Sequence, residues 1–426
     1  IPLRLVGSEM CIRDSDNTPF TGDVSNSNEQ MHVQTPIKRD SLFVDARMDL
    51  NDQIRFNTQL AYNRRTTTRQ IAGYPFQSGA AGITPMSADS WFNPFGSHHG
   101  YERPSDVHWN RRTWEIPRVS TSELTTWQSV AAFEGSFQFA GRDFDWEAGY
   151  QYNRSELEQR ATGNLHKQRV ADSTGPSFYN PATGKVECGT PDAPIAGCKP
   201  WNPLVPYGQD DPYGLTGNGE LQDWLFPEEL TRGRNTTRNL FASLSGGLAT
   251  LPAGELGFAL GVESRREEGR FIPDALAQTG ATTNLAAGPT GGGYRVDEAY
   301  LELSVPVLSD LPGARQLTLD MATRYSDYTT FGGTLNSKFG ISWKPIDQLL
   351  VRGTWAQGFR APTISNLYGG GSQTFTTGFR DPCDTVYGAA ASSPEVRARC
   401  AADIANADSY RQLGQGNEPI TGSSGQ

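Results

Sequence analysis

The segment LFVDARMDL at residues 42–50 is followed, after a three-residue turn, by IRFNTQLAY at residues 54–62. Apolar and polar side chains alternate in both segments: Val44 and Met48 fall on one side of the chain and Asp45 on the other. Because strand side chains have a period of two, this stretch predicts a β-hairpin with one apolar and one charged face. A soluble sheet shows the same alternation, so one hairpin does not decide the class of protein.

Four further pairs of segments show this alternation, which gives five hairpins in all. The connection within each pair is short, whereas most pairs are separated by long polar stretches. Short turns on one side and long loops on the other are typical of a transmembrane barrel. The sequence therefore predicts an all-β fold, namely part of an antiparallel transmembrane β-barrel with long external loops. The predicted strands are 42–50, 54–62, 130–139, 144–153, 240–248, 256–262, 299–305, 317–325, 335–343 and 349–357.

Long connections separate most of the predicted hairpins. Residues 64–126 and 154–238 are rich in Gly, Pro and aromatic residues, a shorter connection covers 326–333, and another loop begins near Phe359. Connections of this length count against a compact soluble domain but are expected on the external side of a barrel. Helical periodicity is clear only at 393–407, which we expect to form a short surface helix.

Certain residues are expected to shape the wall of the sheet. Pro306 and the pair Pro312-Gly313 should break the strands of the fourth hairpin. Gly353 and Gly358 should thin the wall where a bulky neighbour approaches. Aromatic rings near strand ends suit a membrane interface, and the rings expected there belong to Trp343, Trp355, Tyr325 and Tyr328.

The overall composition narrows the class of protein. A chain of 426 residues is too long for one ordinary soluble core, so several domains or one large barrel are expected. No apolar run approaches the roughly 18 residues that a membrane helix needs, which excludes a helical membrane protein. The formal net charge of −10, without a run of Lys or Arg, argues against nucleic acid as a partner.

The cysteines fall in the predicted loops in even numbers. Cys188 and Cys198 share one loop, and Cys383 and Cys400 share another. Such pairs indicate disulfides and an oxidising compartment. The alternative is free or metal-binding thiols, but a zinc site needs a second close pair or His partners at ligand spacing, which neither loop supplies.

Aromatic loop residues are the candidates for contact with a ligand. Exposed rings can stack on sugars or on planar iron-chelating groups, or they can instead pack the loops onto one another. His98, His99 and His108 allow a metal site as an alternative to incidental loop histidines. No nucleophile with a partner base is evident, so neither catalysis nor a cofactor is expected. The loop tryptophans are Trp91, Trp109, Trp114, Trp201 and Trp224.

One ordered series of motifs resembles the TonB-dependent outer-membrane receptors. It extends over about forty residues and comprises TRYSDY (323–328), FGG (331–333), KFGISWKP (338–345) and VRGTWAQGFRAP (351–362). The segment LPAGELGFALGVE (251–263) and Asp381-Pro-Cys383 with a later Cys also resemble members of this family.

This resemblance implies a barrel with more strands than this chain supplies. The family barrel has about 22 strands and an N-terminal plug fills its lumen, whereas about ten strands are predicted here. We therefore expect residues 16–426 to be a partial barrel domain, with the plug and the C-terminal strands missing. Residues 1–15 resemble a translated sequencing adapter and are expected to be an artefact.

The resemblance also implies a function in the outer membrane of a Gram-negative bacterium. Such a receptor captures a scarce solute, which is a ferric siderophore or similar chelate or an oligosaccharide, and imports it with energy transmitted by TonB. The expected partners are TonB, through the missing N-terminal part, the solute and outer-membrane lipid. The alternative is a passive porin or adhesin barrel without a plug. A barrel enzyme would need a Ser/His or Asp/His set, which the sequence does not supply.

Overall fold

Fifteen strands are present in the computed structural model, which describes residues 26–78, 84–373 and 380–412. The expected artefact at residues 1–15 lies outside the described residues. The strands are β1 (Ile37–Asn51), β2 (Ile54–Ile71), β3 (Pro75–Gln77), β4 (Asn110–Arg112), β5 (Arg118–Phe139), β6 (Arg142–Thr162), β7 (Ser177–Asn180), β8 (Lys185–Thr190), β9 (Ala193–Pro194), β10 (Glu229–Leu251), β11 (Gly254–Ile272), β12 (Thr290–Leu311), β13 (Ala314–Tyr328), β14 (Gly332–Ile346) and β15 (Leu349–Ala356).

Ten of these strands form one antiparallel sheet, which confirms the predicted fold class. Its order is β1-β2-β5-β6-β10-β11-β12-β13-β14-β15, so strands that follow one another along the chain also lie side by side. Two-residue turns join the strands of each hairpin at one end, which we call the turn end. The longer connections leave from the opposite end, which we call the loop end. No helix among the described residues has the length and apolarity to cross a membrane.

The register of the sheet aligns apolar side chains from strand to strand. Phe56 lies directly opposite Phe133, and Val262 lies opposite Ala299. Phe133 is 45% exposed and Val262 is 56% exposed, so this side of the sheet, the apolar face, does not pack against the protein itself. A contiguous exposed apolar surface of this kind marks an interaction with an apolar environment. One row across nine of the ten strands consists of Met48, Phe56, Phe133, Ala148, Ala242, Val262, Ala299, Tyr325 and Leu335.

The opposite side of the sheet, the polar face, carries charged and hydrogen-bonding side chains in equally regular rows. Arg55 on β2 pairs with Asp49 on β1 at 2.7 Å and with Glu134 on β5 at 3.2 Å. The row that contains them is Asp49, Arg55, Glu134, Glu147, Ser243, Gly261, Tyr300, Arg324 and Asn336. The predicted alternation is thus confirmed across neighbouring strands.

The strands extend further toward the loop end than the alternation predicts. β2 continues beyond Tyr62 to Ile71, and β5 begins at Arg118 rather than at Val130. Polar residues occupy both faces of these extensions, so the period-two signal is missing although the backbone ladder continues. The predicted loops at 64–126 and 154–238 are therefore too long.

Two predictions about wall residues are wrong. Pro306 does not end a strand but lies inside β12, where the register shifts between Pro306 and Leu308. Such an irregularity tolerates a residue that lacks a backbone N–H. The second wrong prediction is that Gly358 thins the wall, because no described atom lies within 4 Å of a Cβ placed there. The same prediction agrees with the structure at Gly353, where a Cβ would lie 3.2 Å from the side chain of Ile341.

The two longest connections fold together around a shared hydrophobic core, which we call the loop core. Phe76 and Trp109 come from the connection before β5 and stack with ring centroids 4.0 Å apart. Trp201 comes from the connection before β10 and stands at right angles to Trp109, with the centroids 5.2 Å apart. The buried members are Phe76, Met86, Trp109, Leu165, Val170, Trp201, Leu215, Leu221, Leu225 and Phe226.

Short helices and a disulfide complete the second of these connections. α1 (Lys167–Thr174) and α2 (Gly219–Leu225) place apolar residues in the loop core. α3 (Ala275–Thr279) follows β11. A disulfide joins Cys188 to Cys198 beside this core.

The segment after β15 contains α4 (Ile364–Tyr368) and α5 (Pro394–Asp403), and a disulfide joins Cys383 to Cys400 on α5. The helix predicted at 393–407 is therefore present but shorter. Asp384, fully buried, accepts hydrogen bonds from the backbone N–H groups of Val386, Tyr387 and Gln412 at 2.6–2.8 Å. Burial raises the pKa of Asp384, but the bonds from these backbone groups and from Arg411 outweigh it and hold the pKa at about 2.

Replacing Trp201 should unfold the loop core without disturbing the sheet. Trp201→Ala removes a fully buried ring that joins two connections, so we expect a loss of about 3–5 kcal/mol in the stability of the loop core. Limited proteolysis of the purified protein should then cut both connections. Trp91→Ala, which removes a ring that is 38% exposed, is the matched control and should leave both connections resistant.

Asp384 should make the disulfide segment sensitive to acid. A folded-state pKa of about 2 lies below the value of about 3.9 for an unfolded Asp, so its stabilisation is complete above about pH 4 and is lost as the pH falls through 2. Asp384→Asn should lower the amide-exchange protection of Val386 and Tyr387 by roughly tenfold or more at neutral pH. The exposed Asp408→Asn is the control. Equal protection in both variants would contradict this role.

Candidate functional site

Two of the five candidate tryptophans lie inside the loop core. Trp109 is 3% exposed and Trp201 is 0% exposed. Neither ring can meet a solute unless the connections separate. For these two residues the structure supports loop packing, the alternative that the sequence left open.

Two further candidates are partly buried. The Trp224 indole N–H donates to Ser173 Oγ at 3.0 Å, and the Arg169 guanidinium lies 4.8 Å from the centre of its ring. These contacts hold Trp224 against the outside of the loop core. Trp114 is half-buried, and its carbonyl oxygen accepts a hydrogen bond from the Gln30 side chain at 2.7 Å.

Trp91 is the candidate that presents a ring to solvent. Its ring centroid lies 5.1 Å from that of His98 and 5.8 Å from that of Tyr179, which is 46% exposed. Trp91 belongs to the first long connection and Tyr179 to the second, and a bond from the Trp91 backbone N–H to Ser177 Oγ at 2.8 Å ties the two together. We call Trp91, His98 and Tyr179 the surface aromatic cluster. Its exposed rings can stack on a planar ligand.

The three loop histidines remain apart from other metal-ligating groups. His98, His99 and His108 are all exposed. Within the described ranges no group of three or more His, Cys, Asp or Glu side chains lies close enough together to hold a metal ion.

The polar face contains a dense network of ion pairs near the loop end. Glu298 on β12 is buried, and its carboxylate lies 3.9 Å from the Arg265 guanidinium and 3.6 Å from that of Arg324. Arg265 also pairs with Glu263 at 3.0 Å and with Glu267 at 3.3 Å. This wall offers charged groups of both signs, along which a hydrated solute or a polar protein surface can lie.

The segment after β15 folds back over the polar face on the loop-end side of this network. The Tyr368 ring on α4 covers Gly292, and Ile364 covers Gly269, both on the polar face. A Cβ on Gly292 would lie 2.3 Å from the Tyr368 ring, so the absence of a side chain there admits α4. Tyr368 also donates from its hydroxyl to the Gly293 carbonyl at 3.1 Å. α4 therefore narrows the accessible part of the polar face.

An aromatic group at the loop end of β13 was not expected from the sequence. Tyr328 stacks on Phe331 with centroids 4.4 Å apart, and Phe359 lies 6.0 Å from Tyr328. Tyr328 was expected at a membrane interface, and that expectation is wrong. It is three residues from Tyr325, which lies on the apolar face, so it points to the polar face and is 7% exposed. The odd offset of three residues from Tyr325 already indicates in the sequence that Tyr328 lies on the polar face.

The sequence has measurable similarity to known proteins over part of its length. No curated protein sequence matches the chain. Among solved structures it is similar to the open form of the ferric-catecholate import receptor Fiu from E. coli K12, with 13% sequence identity, a TM-score of 0.30, and coverage of 76% of this chain and 46% of that chain. The chain thus spans about half the length of Fiu, and so weak a likeness carries no argument.

A protein-family match is more informative. Residues 201–395, which contain β10 to β15, match the family described as TonB dependent receptor-like, beta-barrel. The ten-stranded antiparallel sheet extends through this region and beyond it toward β1. Residues 201–395 are therefore similar to the β-barrel region of TonB-dependent receptors.

Proposed function

We propose that this protein is an outer-membrane active-transport receptor that binds a scarce solute and imports it with energy transmitted by TonB. The observation that supports this most directly is the sheet register, which separates an exposed apolar face from an ion-paired polar face. In a barrel of this family the first face meets lipid and the second faces the lumen. The loop end would then face outward and the turn end would face the periplasm.

The solute, in this proposal, is a ferric siderophore or similar chelate, or an oligosaccharide. The surface aromatic cluster supports this choice, because exposed rings suit planar chelating groups and sugar faces. TonB would act through an N-terminal plug and recognition segment, and residues 16–426 would form part of the barrel domain. No catalytic step is part of this function.

A TonB-dependence assay separates this proposal from a passive porin or adhesin. The complete gene would be expressed in a Gram-negative host that lacks its own iron-chelate and oligosaccharide receptors. Uptake of ⁵⁵Fe-catecholate and of labelled oligosaccharides would be measured with and without TonB, and with a proton uncoupler. Uptake that requires both TonB and the proton gradient supports the receptor. Uptake that persists without TonB indicates a porin, and binding to cells without uptake indicates an adhesin.

Upstream DNA gives an independent test of the same proposal. A coding region for a plug and a TonB-recognised segment before β1 supports an active receptor. Strands that continue directly to a signal peptide contradict it, because nothing would then couple the barrel to TonB.

Removing the surface aromatic cluster should weaken solute capture. We expect the double variant Trp91→Ala and Tyr179→Ala to reduce the affinity for the imported solute by about tenfold or more, since stacked rings contribute about 0.5–1.5 kcal/mol each beyond their buried area. Equilibrium binding to whole cells measures this. Tyr207→Ala, which removes another exposed loop ring (61% exposed), is the control. Equal affinity in all three proteins would exclude the cluster from the binding site.

A further inference from the structure

Six arginines that are scattered along the sequence meet on the apolar face at its loop end. They line a groove of about 600 Å³ that crosses β6, β10, β11 and β12. Among the described residues, Glu268 supplies the one carboxylate that lines it with them, although the chain as a whole has a net charge of −10. We call these residues the arginine groove: Arg154, Arg234, Arg238, Arg266, Arg270 and Arg295.

The register places several of these like charges directly opposite one another. Arg266 lies opposite Arg238 on one side and opposite Arg295 on the other. Four residues further toward the loop end on the same two strands, Arg234 lies opposite Arg270. Like charges directly opposite on neighbouring strands are destabilising. Repulsion between these guanidinium groups therefore destabilises the folded sheet, and a bound anion would offset that repulsion.

The protein's own carboxylates neutralise this charge only in part. Glu268 pairs with Arg238 at 3.1 Å and with Arg266 at 2.7 Å, and Arg295 pairs with Asp297 at 2.9 Å. Arg154 pairs with Glu156. Within the described ranges, Arg234 and Arg270 have neither an ion pair nor a hydrogen bond through their side chains, and both are exposed.

The groove begins where the exposed apolar side chains of the apolar face end; we call these side chains, which include Leu240 and Val262, the apolar band. Arg238 is two residues from Leu240 on the same face, about 7 Å along the strand, and Leu240 is 61% exposed. The side chains of Arg266 and Arg295 are 63% and 58% exposed, so their guanidinium groups reach the surroundings. Thr236 is buried among these arginines. In a membrane whose hydrocarbon covers the apolar face, as the proposed function requires, this position would lie at the depth of the lipid headgroups.

We propose that the arginine groove binds the phosphate groups of a phosphorylated glycolipid in the outer leaflet, whose acyl chains lie on the adjoining apolar band. The inference rests on the membrane placement contained in the proposed function. Guanidinium groups bind phosphate through paired, charge-assisted hydrogen bonds. The apolar residues beside the groove favour a lipid over a soluble anion, since free phosphate gains nothing from Leu240 or Val262.

The probe is bisphosphorylated lipid A, titrated into the purified full chain in a neutral detergent and followed by native mass spectrometry. Fully dephosphorylated lipid A and inorganic phosphate are titrated in parallel. We expect saturable binding of the phosphorylated lipid that weakens as salt is added. Equal binding of the dephosphorylated lipid would show that only the apolar band is recognised and would overturn the proposal. Competition by millimolar inorganic phosphate would reveal a simple anion site and would also overturn it.

The variants test whether the groove itself is responsible. Arg234→Gln with Arg270→Gln removes two unpaired charges, breaks no ion pair or hydrogen bond within the described residues, and should weaken lipid A binding by about tenfold or more. The matched control is Arg39→Gln with Arg65→Gln, an opposed pair of exposed arginines on the polar face, which should leave affinity within about twofold. Equal affinity in both double variants would contradict the proposal.

Two further measurements make the result interpretable. The unchanged protein and the two double variants are compared for protease resistance of the sheet and for heat-modifiable migration on gels. These two properties show whether each variant is folded. Uptake of ⁵⁵Fe-catecholate or oligosaccharide is measured separately in cells. Lipid binding without uptake would contradict only the proposed transport function, whereas uptake without phosphate-dependent lipid binding would contradict only this inference.

Discussion

The backbone pairing between neighbouring strands is the constraint on which the rest of the molecule depends. A shift of one residue would move every side chain of a strand to the other face of the sheet. Shifting β1 by one residue against β2 would bring Arg47 or Asp49, in place of Met48, opposite Phe56. With the observed register, apolar rows, ion-paired rows and the arginine groove all follow from the same ladder of hydrogen bonds.

This sheet also determines where the connections meet. Because strands adjacent in the chain are adjacent in the sheet, the two longest connections leave the loop end of the sheet close together. Their apolar residues then have a partner, and the loop core forms around Phe76, Trp109 and Trp201. The surface aromatic cluster has the same origin, since Trp91 and Tyr179 belong to different connections. The proposed ligand surface is thus a product of loop packing rather than of either loop alone.

The central part of each strand could be predicted because the apolar face and the polar face carry side chains of opposite character. That contrast produces the alternation in 42–50 and 54–62, and it fades where both sides of the strand are polar. The extensions of β2 and β5 toward the loop end carry no such signal, and only backbone pairing reveals them. The position of Pro306 within a register shift is equally invisible to local pattern.

The candidate site was less predictable because its residues are distant in sequence. Phe76 and Trp201 are separated by more than one hundred residues, so no periodicity connects them and their burial could not be read locally. The six groove arginines never form a run, and only the register brings Arg238, Arg266 and Arg295 together. Tyr328 is different, because its face followed from its odd offset to Tyr325 and the information was present.

The shared loop core has a consequence for engineering and for divergence among relatives. A graft that exchanges one connection for that of another receptor would bring Trp109 without Trp201, or the reverse, and would leave half of a hydrophobic interface facing water. New specificity in such a barrel must therefore arise by paired replacement of both connections, or by changes confined to rings at the solvent surface such as Trp91.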